Sequence, residues 1–144
     1  MSNVAYATTL DVRDTCLCLH VQRAARALAR RFDEALRPVG LTHGQFSMMN
    51  ALNRPRPATM PQLVSVLGMD RTTLTAALKV LEQRALVRIA VSKTDARARE
   101  LSLTAKGHTT LARALPVWTE THALLEAALS PSEPARLRKT LARF

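Results

Sequence analysis

The 144-residue sequence lacks the features that mark secreted, membrane-spanning and disulfide-linked proteins. Its two cysteines lie close together and cannot form a disulfide framework. No apolar run approaches the ~20 residues that a membrane-spanning helix needs. The N-terminal residues have neither the basic start nor the apolar core of a signal peptide. These absences predict a soluble, cytoplasmic protein without a membrane partner.

Acidic residues are also scarce. Eleven Asp and Glu stand against twenty-one Lys and Arg, so the formal net charge at pH 7 is +10. An excess of this size indicates a polyanionic partner. The carboxylates are scattered among basic neighbours, which does not favour a nuclease, since nucleases cluster carboxylates around metal ions.

Motifs of the common enzyme classes are missing as well. The sequence has no Gly-rich phosphate loop, no nucleophile elbow, no metal-binding His pair and no Cys–His pair with an orienting group. We therefore predict that the protein is not an enzyme and uses no cofactor and no metal. Charge alone would also fit a sequence-nonspecific architectural DNA-binding protein, and this alternative stays open.

The stretch from Pro61 to Thr104 is predicted to form a helix, a turn, a second helix and a two-stranded hairpin. The first helix ends at Gly68, and Asp70 caps the second. The second helix carries three leucines at helical spacing that should face a core. They are Leu74, Leu78 and Leu81.

The opposite side of this second helix carries short polar side chains and one cation. Short side chains let a helix approach base edges closely, and Thr can hydrogen-bond to any base or touch a thymine methyl group. We predict that this side, together with the arginine at the helix start, binds DNA. The predicted contacts are Arg71, Thr72, Thr73, Thr75, Ala76 and Lys79.

The segments Val87–Val91 and Leu101–Leu103 alternate apolar and polar residues with the period of half-buried strands. The two valines and the isoleucine of the first strand should point inward, and Arg88 outward. A polar, arginine-rich loop, Ser92–Glu100, separates the strands. A helix-turn-helix followed by a basic hairpin predicts a winged helix, whose helix enters a major groove while arginines of the wing reach the adjacent minor groove.

Residues 95–104 read Asp-Ala-Arg-Ala-Arg-Glu-Leu-Ser-Leu-Thr and fit the D-x-R-x-x-x-L-x-L-T wing pattern of the MarR family of bacterial transcriptional regulators. Met69–Thr75 and Leu81–Val87 resemble that family's recognition helix and its exit. Ala76 stands where many members carry Arg, and Ala85 where most carry Gly. The resemblance implies double-stranded DNA as partner and a two-fold homodimer on a palindromic operator.

The wing pattern also predicts roles within the loop. Arg97 is expected to enter the minor groove, and Lys93 and Arg99 to contact phosphates. Asp95 is expected to stabilise the wing by pairing with an arginine. An isolated basic loop would usually be only solvated, but this one follows a helix-turn-helix and matches the pattern over ten residues.

The segments on either side are predicted to form dimerisation helices. A helix from about Leu10 to Leu36 is apolar on all sides around Cys16–Val21, and a domain this small needs a second subunit to bury such a surface. A helix from Thr104 to about Leu129 carries an a/d seam, and Pro116 should kink or split it. The seam consists of Leu111, Leu115, Trp118, His122, Leu125 and Leu129.

The predicted fold is mainly α with a small β-hairpin wing, a winged helix-turn-helix between N- and C-terminal dimerisation helices. Residues 1–40 are assigned to the N-terminal helix, with dimerisation and a pocket. Residues 41–104 form the DNA-binding region, and residues 105–144 the C-terminal dimerisation helices. Helix-starting capping boxes are predicted at Thr42–Gln45, Thr59–Gln62 and Ser130–Glu133.

Cys16 and Cys18 allow three interpretations. As buried helix residues they would be small hydrophobes. As metal ligands, Cys16 and His20 share one face of a continuous helix, but Cys18 points away and no second ligand pair follows. The same geometry excludes a disulfide between the two cysteines.

Oxidant sensing is the third interpretation, and it depends on the MarR resemblance. Members of the family's organic-hydroperoxide-sensing branch carry a reactive cysteine at the position of Cys18. The tyrosines that support it there are replaced here by Gln22, Phe32 and His43. Activation of the thiol would therefore rest on His43 or nearby arginines.

The resemblance further implies a crevice in which aromatic acids or phenols bind and weaken DNA affinity. His20 and His43 are the candidate contacts for an anionic effector, although packing or solvation would also explain each. The sequence thus predicts a sequence-specific regulator of transcription. It would be a repressor that is released by a small aromatic ligand or by cysteine oxidation.

Overall fold

The computed structural model describes residues 3–144, which form seven α-helices and one antiparallel pair of strands. The predicted fold class, mainly α with a small hairpin, is confirmed. The elements are α1 (Tyr6–Thr15), α2 (Leu17–Leu36), α3 (His43–Leu52), α4 (Met60–Leu67), α5 (Arg71–Gln83), β1 (Val87–Val91), β2 (Arg99–Leu103), α6 (Ala105–Ala127) and α7 (Glu133–Leu141).

The chain divides into two compact units, one up to Arg31 and one from Phe32 onward. The first contains α1 and most of α2, and the second contains all later elements. The assignment of residues 1–40, 41–104 and 105–144 to separate roles stays a prediction. Over residues 3–144, every helix is too short or too polar to cross a membrane.

The N-terminal helix differs from its prediction. Helix α1 begins at Tyr6, four positions before the expected start at Leu10. It ends at Thr15, because Cys16 adopts an extended backbone with ψ of 105°. A single helix over residues 10–36 is therefore wrong, and so is the helical spacing that the metal and disulfide arguments assumed for Cys16.

The apolar side chains around this break are exposed in the single chain. Leu17 is 68% exposed and Val21 44%. An apolar surface of this kind is unfavourable in water, at roughly 25 cal/mol per Å². Its burial by a second subunit stays a prediction.

The core of the second unit is packed between α3, α4, α5 and the hairpin. Thr42 and Gln45 form the predicted capping box at the start of α3, with hydrogen bonds of 3.2 and 3.1 Å. The leucines predicted to face the core are all buried, which confirms the orientation of α5. The fully buried side chains include Leu36, Met49, Leu63, Leu74, Leu78, Leu81, Leu86 and Leu101.

Strands β1 and β2 pair from Val87 opposite Leu103 to Val91 opposite Arg99. Arg99 and Glu100 therefore belong to β2, and the connecting loop is shorter than predicted. Val91 was expected to point inward but is 53% exposed, because the end of the hairpin extends beyond the core. Ala58 adds an antiparallel bridge to β2, with reciprocal hydrogen bonds to Leu101 of 2.8 and 2.9 Å.

Helix α6 starts at the predicted cap, where the Thr104 hydroxyl accepts a 2.9 Å hydrogen bond from the Gly107 N–H. It runs from Ala105 to Ala127 through Pro116, so the proline does not split it. Proline lacks a backbone N–H, so the helix continues without the hydrogen bond that residue 116 would donate.

The seam on α6 packs partly within its own unit. Leu111 is only 6% exposed, and Trp118 stacks on Phe46 with ring centroids 6.0 Å apart. Leu115 and Leu129 remain exposed. The prediction that the seam packs against a partner helix is therefore wrong for Leu111 and Trp118, which pack within their own unit.

Helix α7 begins later than the third capping box suggested. The Glu133 carboxylate accepts a 2.6 Å hydrogen bond from the Ser130 N–H, so one half of that box is present. The residue before the helix is Ser132, which has an αR backbone and no capping hydrogen bond from its side chain. The bond from Ser130 lowers the pKa of Glu133.

Candidate nucleic-acid interface

Helices α4 and α5 are joined by a tight turn. Gln62 in the first turn of α4 accepts a 3.0 Å hydrogen bond from the Thr59 N–H. Helix α4 ends at Gly68, whose φ of 63° is a left-handed conformation that glycine adopts without strain. Asp70 then caps α5 by accepting a 2.8 Å hydrogen bond from the Thr73 N–H.

Both oxygens of the Asp70 carboxylate accept hydrogen bonds in this cap. The carboxylate also accepts a 2.7 Å hydrogen bond from the Thr73 hydroxyl. These two bonds to Thr73 lower the pKa of Asp70, because they stabilise its charged form. The acidic residue at the start of α5 is thus ionised and internally bonded, at the edge of the face that was predicted to bind DNA.

The exposed face of α5 carries the residues that the sequence predicted for it. Thr73 donates its hydroxyl hydrogen to Asp70, and Thr75 donates its own to the Arg71 carbonyl oxygen at 2.8 Å. Both hydroxyl hydrogens are therefore used within the chain, and each hydroxyl oxygen keeps acceptor lone pairs. The exposed residues of this face are Arg71, Thr72, Thr73, Thr75, Ala76 and Lys79.

The wing loop is closed by its own backbone. The Ser92 N–H donates to the Ala98 carbonyl oxygen at 3.0 Å, and the Ala98 N–H to that of Asp95 at 3.0 Å. The Asp95 carboxylate accepts a 2.9 Å hydrogen bond from the backbone N–H of Arg97. Its partner is a backbone amide, and the expected pairing with an arginine side chain is wrong.

Arg99 folds back on the wing. Its guanidinium donates to the carbonyl oxygens of Ala96 and Ala98, each at 3.3 Å. These bonds hold the guanidinium of Arg99 beside the loop, on the α5 side of the hairpin. Arg99 can therefore order the wing as well as meet a phosphate.

A cleft between α5 and the wing brings together three of the predicted arginines. Arg71 from the start of α5 lines it together with Arg97 and Arg99 from the wing. Thr75 and the inward side chain of Ile89 lie along the same cleft. Sequence reasoning named all three arginines but did not predict that they share one cleft.

Lys93 lies elsewhere. It lines a hollow on the other face of the hairpin, together with Pro57, Arg88 and Glu100. The basic residues of this outer side were not predicted as a site, apart from Lys93. The signal that could have found them is the run Arg54-Pro55-Arg56-Pro57, in which two cations lie in a stiff loop.

The cysteines occupy different local environments. Cys16 lies at the break before α2, and its sulfur accepts a 3.4 Å hydrogen bond from the Leu19 N–H, as a helix cap would. Cys18 is exposed, and the Gln22 amide donates to its sulfur at 3.2 Å. No cluster of potential metal ligands occurs within residues 3–144.

The two candidate effector residues also have local partners. A ring nitrogen of His20 lies 2.8 Å from the Cys16 carbonyl oxygen. His43 packs its ring 5.3 Å from that of Phe32, and its backbone N–H donates to Asp33 at 2.6 Å. These contacts are with neighbouring groups of the chain itself. An effector role for either histidine stays a prediction.

Comparison with known proteins shows similarity to transcriptional regulators in both sequence and structure. The sequence model of the MarR family matches residues 39–98. The transcriptional regulator MosR of Mycobacterium tuberculosis, solved in complex with DNA, is 38% identical with a TM-score of 0.81. The alignment covers 89% of this chain and 92% of MosR. The chain belongs to the MarR family.

Two further relatives are similar to this chain, one in structure and one in sequence. The transcriptional repressor CouR, solved on a 23-mer DNA duplex, is 29% identical with a TM-score of 0.80 over 99% of this chain and 98% of its own. The regulator TtmR of Methylorubrum extorquens is 34% identical over 94 residues, 65% of this chain. The chain spans about half the length of the curated relatives that it matches, 48% for TtmR.

Proposed function

We propose that this MarR-family protein is a sequence-specific regulator of transcription that binds double-stranded DNA as a homodimer. The observation that carries the proposal is the cleft in which Arg71, Arg97 and Arg99 converge beside the exposed threonines of α5. A helix face of short side chains next to a basic wing suits adjacent major and minor grooves. The DNA complexes of MosR and CouR support this assignment.

Each predicted site residue then has a role. Arg97 enters the minor groove, and Asp95 orders the loop that carries it. Lys79, Lys93 and Arg99 contact phosphates. The residues that contact base edges in the major groove are Arg71, Thr72, Thr73, Thr75 and Ala76.

A homodimer would double these contacts, and its two-fold symmetry would require a palindromic operator. The exposed apolar side chains of each unit support it, since a soluble chain gains by covering them. Leu17 and Val21 lie in the first unit, and Leu124 and Leu137 in the second.

The proposal is tested by selecting duplexes from a random-sequence pool with the purified protein. Recovery of a palindrome bound at least ~10³-fold more tightly than unrelated DNA at fixed salt is the expected result. Equal affinity for all duplexes, within a few-fold, would leave an architectural DNA binder instead.

The same proposal includes repression that is relieved by a signal. Oxidation of the exposed Cys18 would turn its thiol into a bulkier, polar group on α2 and release the DNA. Peroxide should then release the wild type from its palindrome but not a Cys18→Ser variant. Release of both would dispose of the thiol as sensor. Release by a phenol or aromatic acid without peroxide would favour the ligand, with His20 and His43 as its candidate contacts.

A further inference from the structure

The hairpin has two faces of different character. Ile89 and Leu101 pair on the face toward α5, and both line the arginine cleft. The next pairs, Arg88 with Ser102 and Ala90 with Glu100, point to the opposite face because side chains alternate along a strand. The outer face is thus polar and carries its own cation.

The loop before α4 runs beside this outer face. The bridge between Ala58 and Leu101 fixes the loop to β2. Pro57 lines a hollow with Arg88 and Lys93, and it also lines the neighbouring hollow with Arg54 and Arg56. The two hollows therefore adjoin at Pro57. We call their four cations, Arg54, Arg56, Arg88 and Lys93, the outer basic strip.

The strip is rich in unneutralised charge. All four cations are exposed, and none of them takes part in an ion pair within residues 3–144. Glu100 is the one carboxylate that lines these hollows. Four positive charges against one negative charge favour a polyanion.

The loop that carries half of the strip is held in place. Arg54 donates a 3.0 Å hydrogen bond to the Gln62 side chain, which also receives the Thr59 N–H. Pro55 and Pro57 restrict the backbone on either side of Arg56. A preorganised cation loses less entropy on binding than a flexible one.

We infer that the outer basic strip binds phosphates of DNA that lies beyond the base pairs reached by α5 and the wing. The inference rests on the proposed function. A duplex that receives Arg97 in its minor groove continues past the hairpin, and its backbone then meets the face that points away from α5. An acidic protein partner fits less well, because the strip offers no aromatic anchor of the kind that protein interfaces use.

The test compares two duplexes for the same protein. The first is the selected palindrome trimmed to the base pairs that the protein protects in the major and minor grooves. The second carries an unrelated flank of about one helical turn on each side. The wild type should bind the flanked duplex several-fold more tightly. Between about 50 and 200 mM salt it should also lose more affinity for that duplex than for the trimmed one.

Two double variants, R54Q with R56Q and R88Q with K93Q, each remove two charges from the strip. Each should abolish most of the flank advantage. Each should also reduce by about a hundredfold the affinity lost for the flanked duplex over that salt range, as expected for four phosphate contacts, two from each protomer of the proposed homodimer. A double variant at two exposed arginines outside the strip, R113Q with R143Q, removes the same charge elsewhere, at positions without an ion pair within residues 3–144, and should keep the advantage.

The outcomes separate the two proposals. A wild type that gains nothing from flanks, or strip variants that keep the full gain, would overturn the inference while leaving sequence-specific binding intact. Loss of the gain in the R113Q with R143Q variant as well would reduce the effect to net charge and overturn it too. A wild type that binds the trimmed palindrome no better than a scrambled duplex would instead defeat the proposed function.

Discussion

Arg84 holds Gly40 across 44 positions of the sequence: its guanidinium donates a 2.7 Å hydrogen bond to the Gly40 carbonyl oxygen. The same side chain donates to Gln45 at 3.1 Å. Since Gln45 also accepts the Thr42 N–H at the start of α3, one arginine ties the end of α5 to the start of α3. Helix α5 is thereby fixed at its C-terminal end as well as at its Asp70 cap.

Replacing Arg84 by methionine should lower the free energy of unfolding by about 1–3 kcal/mol, since it removes two charge-assisted hydrogen bonds that tie the end of α5 to the start of α3. Urea denaturation at a fixed protein concentration measures the change. Arg113→Met, on an exposed position of α6, is the control and should stay within about 0.5 kcal/mol of the wild type. Equal effects of the two variants would show that the Arg84 bonds contribute nothing.

Ala85 has a left-handed backbone with φ of 57°, at the position where the MarR resemblance expects glycine. Ala85→Gly should stabilise the fold by roughly 0.5–1 kcal/mol, because relief of left-handed strain exceeds the added entropy of the unfolded chain. Ala76→Gly, inside α5, should cost about 1 kcal/mol instead. Thermal unfolding of both variants checks the opposite signs. A destabilised Ala85→Gly protein would contradict the strain argument.

Gly107 is held against the chain where the hairpin meets α6. A Cβ at this position would lie 2.1 Å from the Leu86 carbonyl oxygen, which is backbone and cannot turn away. Gly107→Ala should therefore cost about 1–3 kcal/mol or more. Gly44→Ala is the matched helical control, since its Cβ would meet nothing closer than 4.0 Å. It should gain about 0.5–1 kcal/mol. Similar denaturation midpoints for the two proteins would refute the contact.

The lowered pKa of Asp70 predicts an acid-sensitive cap. Because the folded pKa lies below the unfolded one, Asp70 contributes stability above the unfolded value of about 4 and loses it as the pH falls through the folded value. Asp70→Asn keeps a capping oxygen but cannot titrate. The stability difference between wild type and variant should shrink on going from neutral pH to about pH 3. Parallel stability curves across that range would rule out the titrating cap.

Two cations of the proposed interface should behave differently on DNA. Arg97→Ala should weaken binding to the selected palindrome by about 1–3 kcal/mol, as for a good groove contact, and should relax discrimination against other sequences. Lys79→Ala should weaken all sequences alike and reduce the salt slope by about one unit per protomer, as for a phosphate contact. Titration at several salt concentrations separates the two. If Arg97→Ala leaves palindrome binding unchanged, its minor-groove assignment is lost.

Local signals were sufficient for much of the architecture. The caps at Thr42, Asp70 and Thr104 form because the side chain and the amide it bonds lie within three residues. The buried leucines of α5 and the pairing of the two strands follow from hydrophobic period. Such features depend on neighbours in the sequence and could be predicted without knowing where the rest of the chain lies.

Other features differ from what the sequence pattern predicts. The turn of the backbone at Cys16 breaks a segment whose composition suits one helix. Trp118 belongs to a seam by its spacing, but Phe46 from another helix decides where its ring packs. Asp95 lies between Lys93 and Arg97 in the sequence, and the shape of the loop gives it the backbone amide of Arg97 instead of a basic side chain.

The sequence by itself determined that this is a mainly helical, strongly basic chain with a MarR-like recognition helix and wing, because periodicity, capping and charge are properties of short segments. Only the tertiary structure decided which cations share a surface. Arg71 joins Arg97 and Arg99 because α5 packs against the hairpin. Lys93, near them in sequence, lies on the other face with Arg88. Strand pairing and helix packing set these positions through contacts between residues far apart in the chain, and no local pattern encodes them.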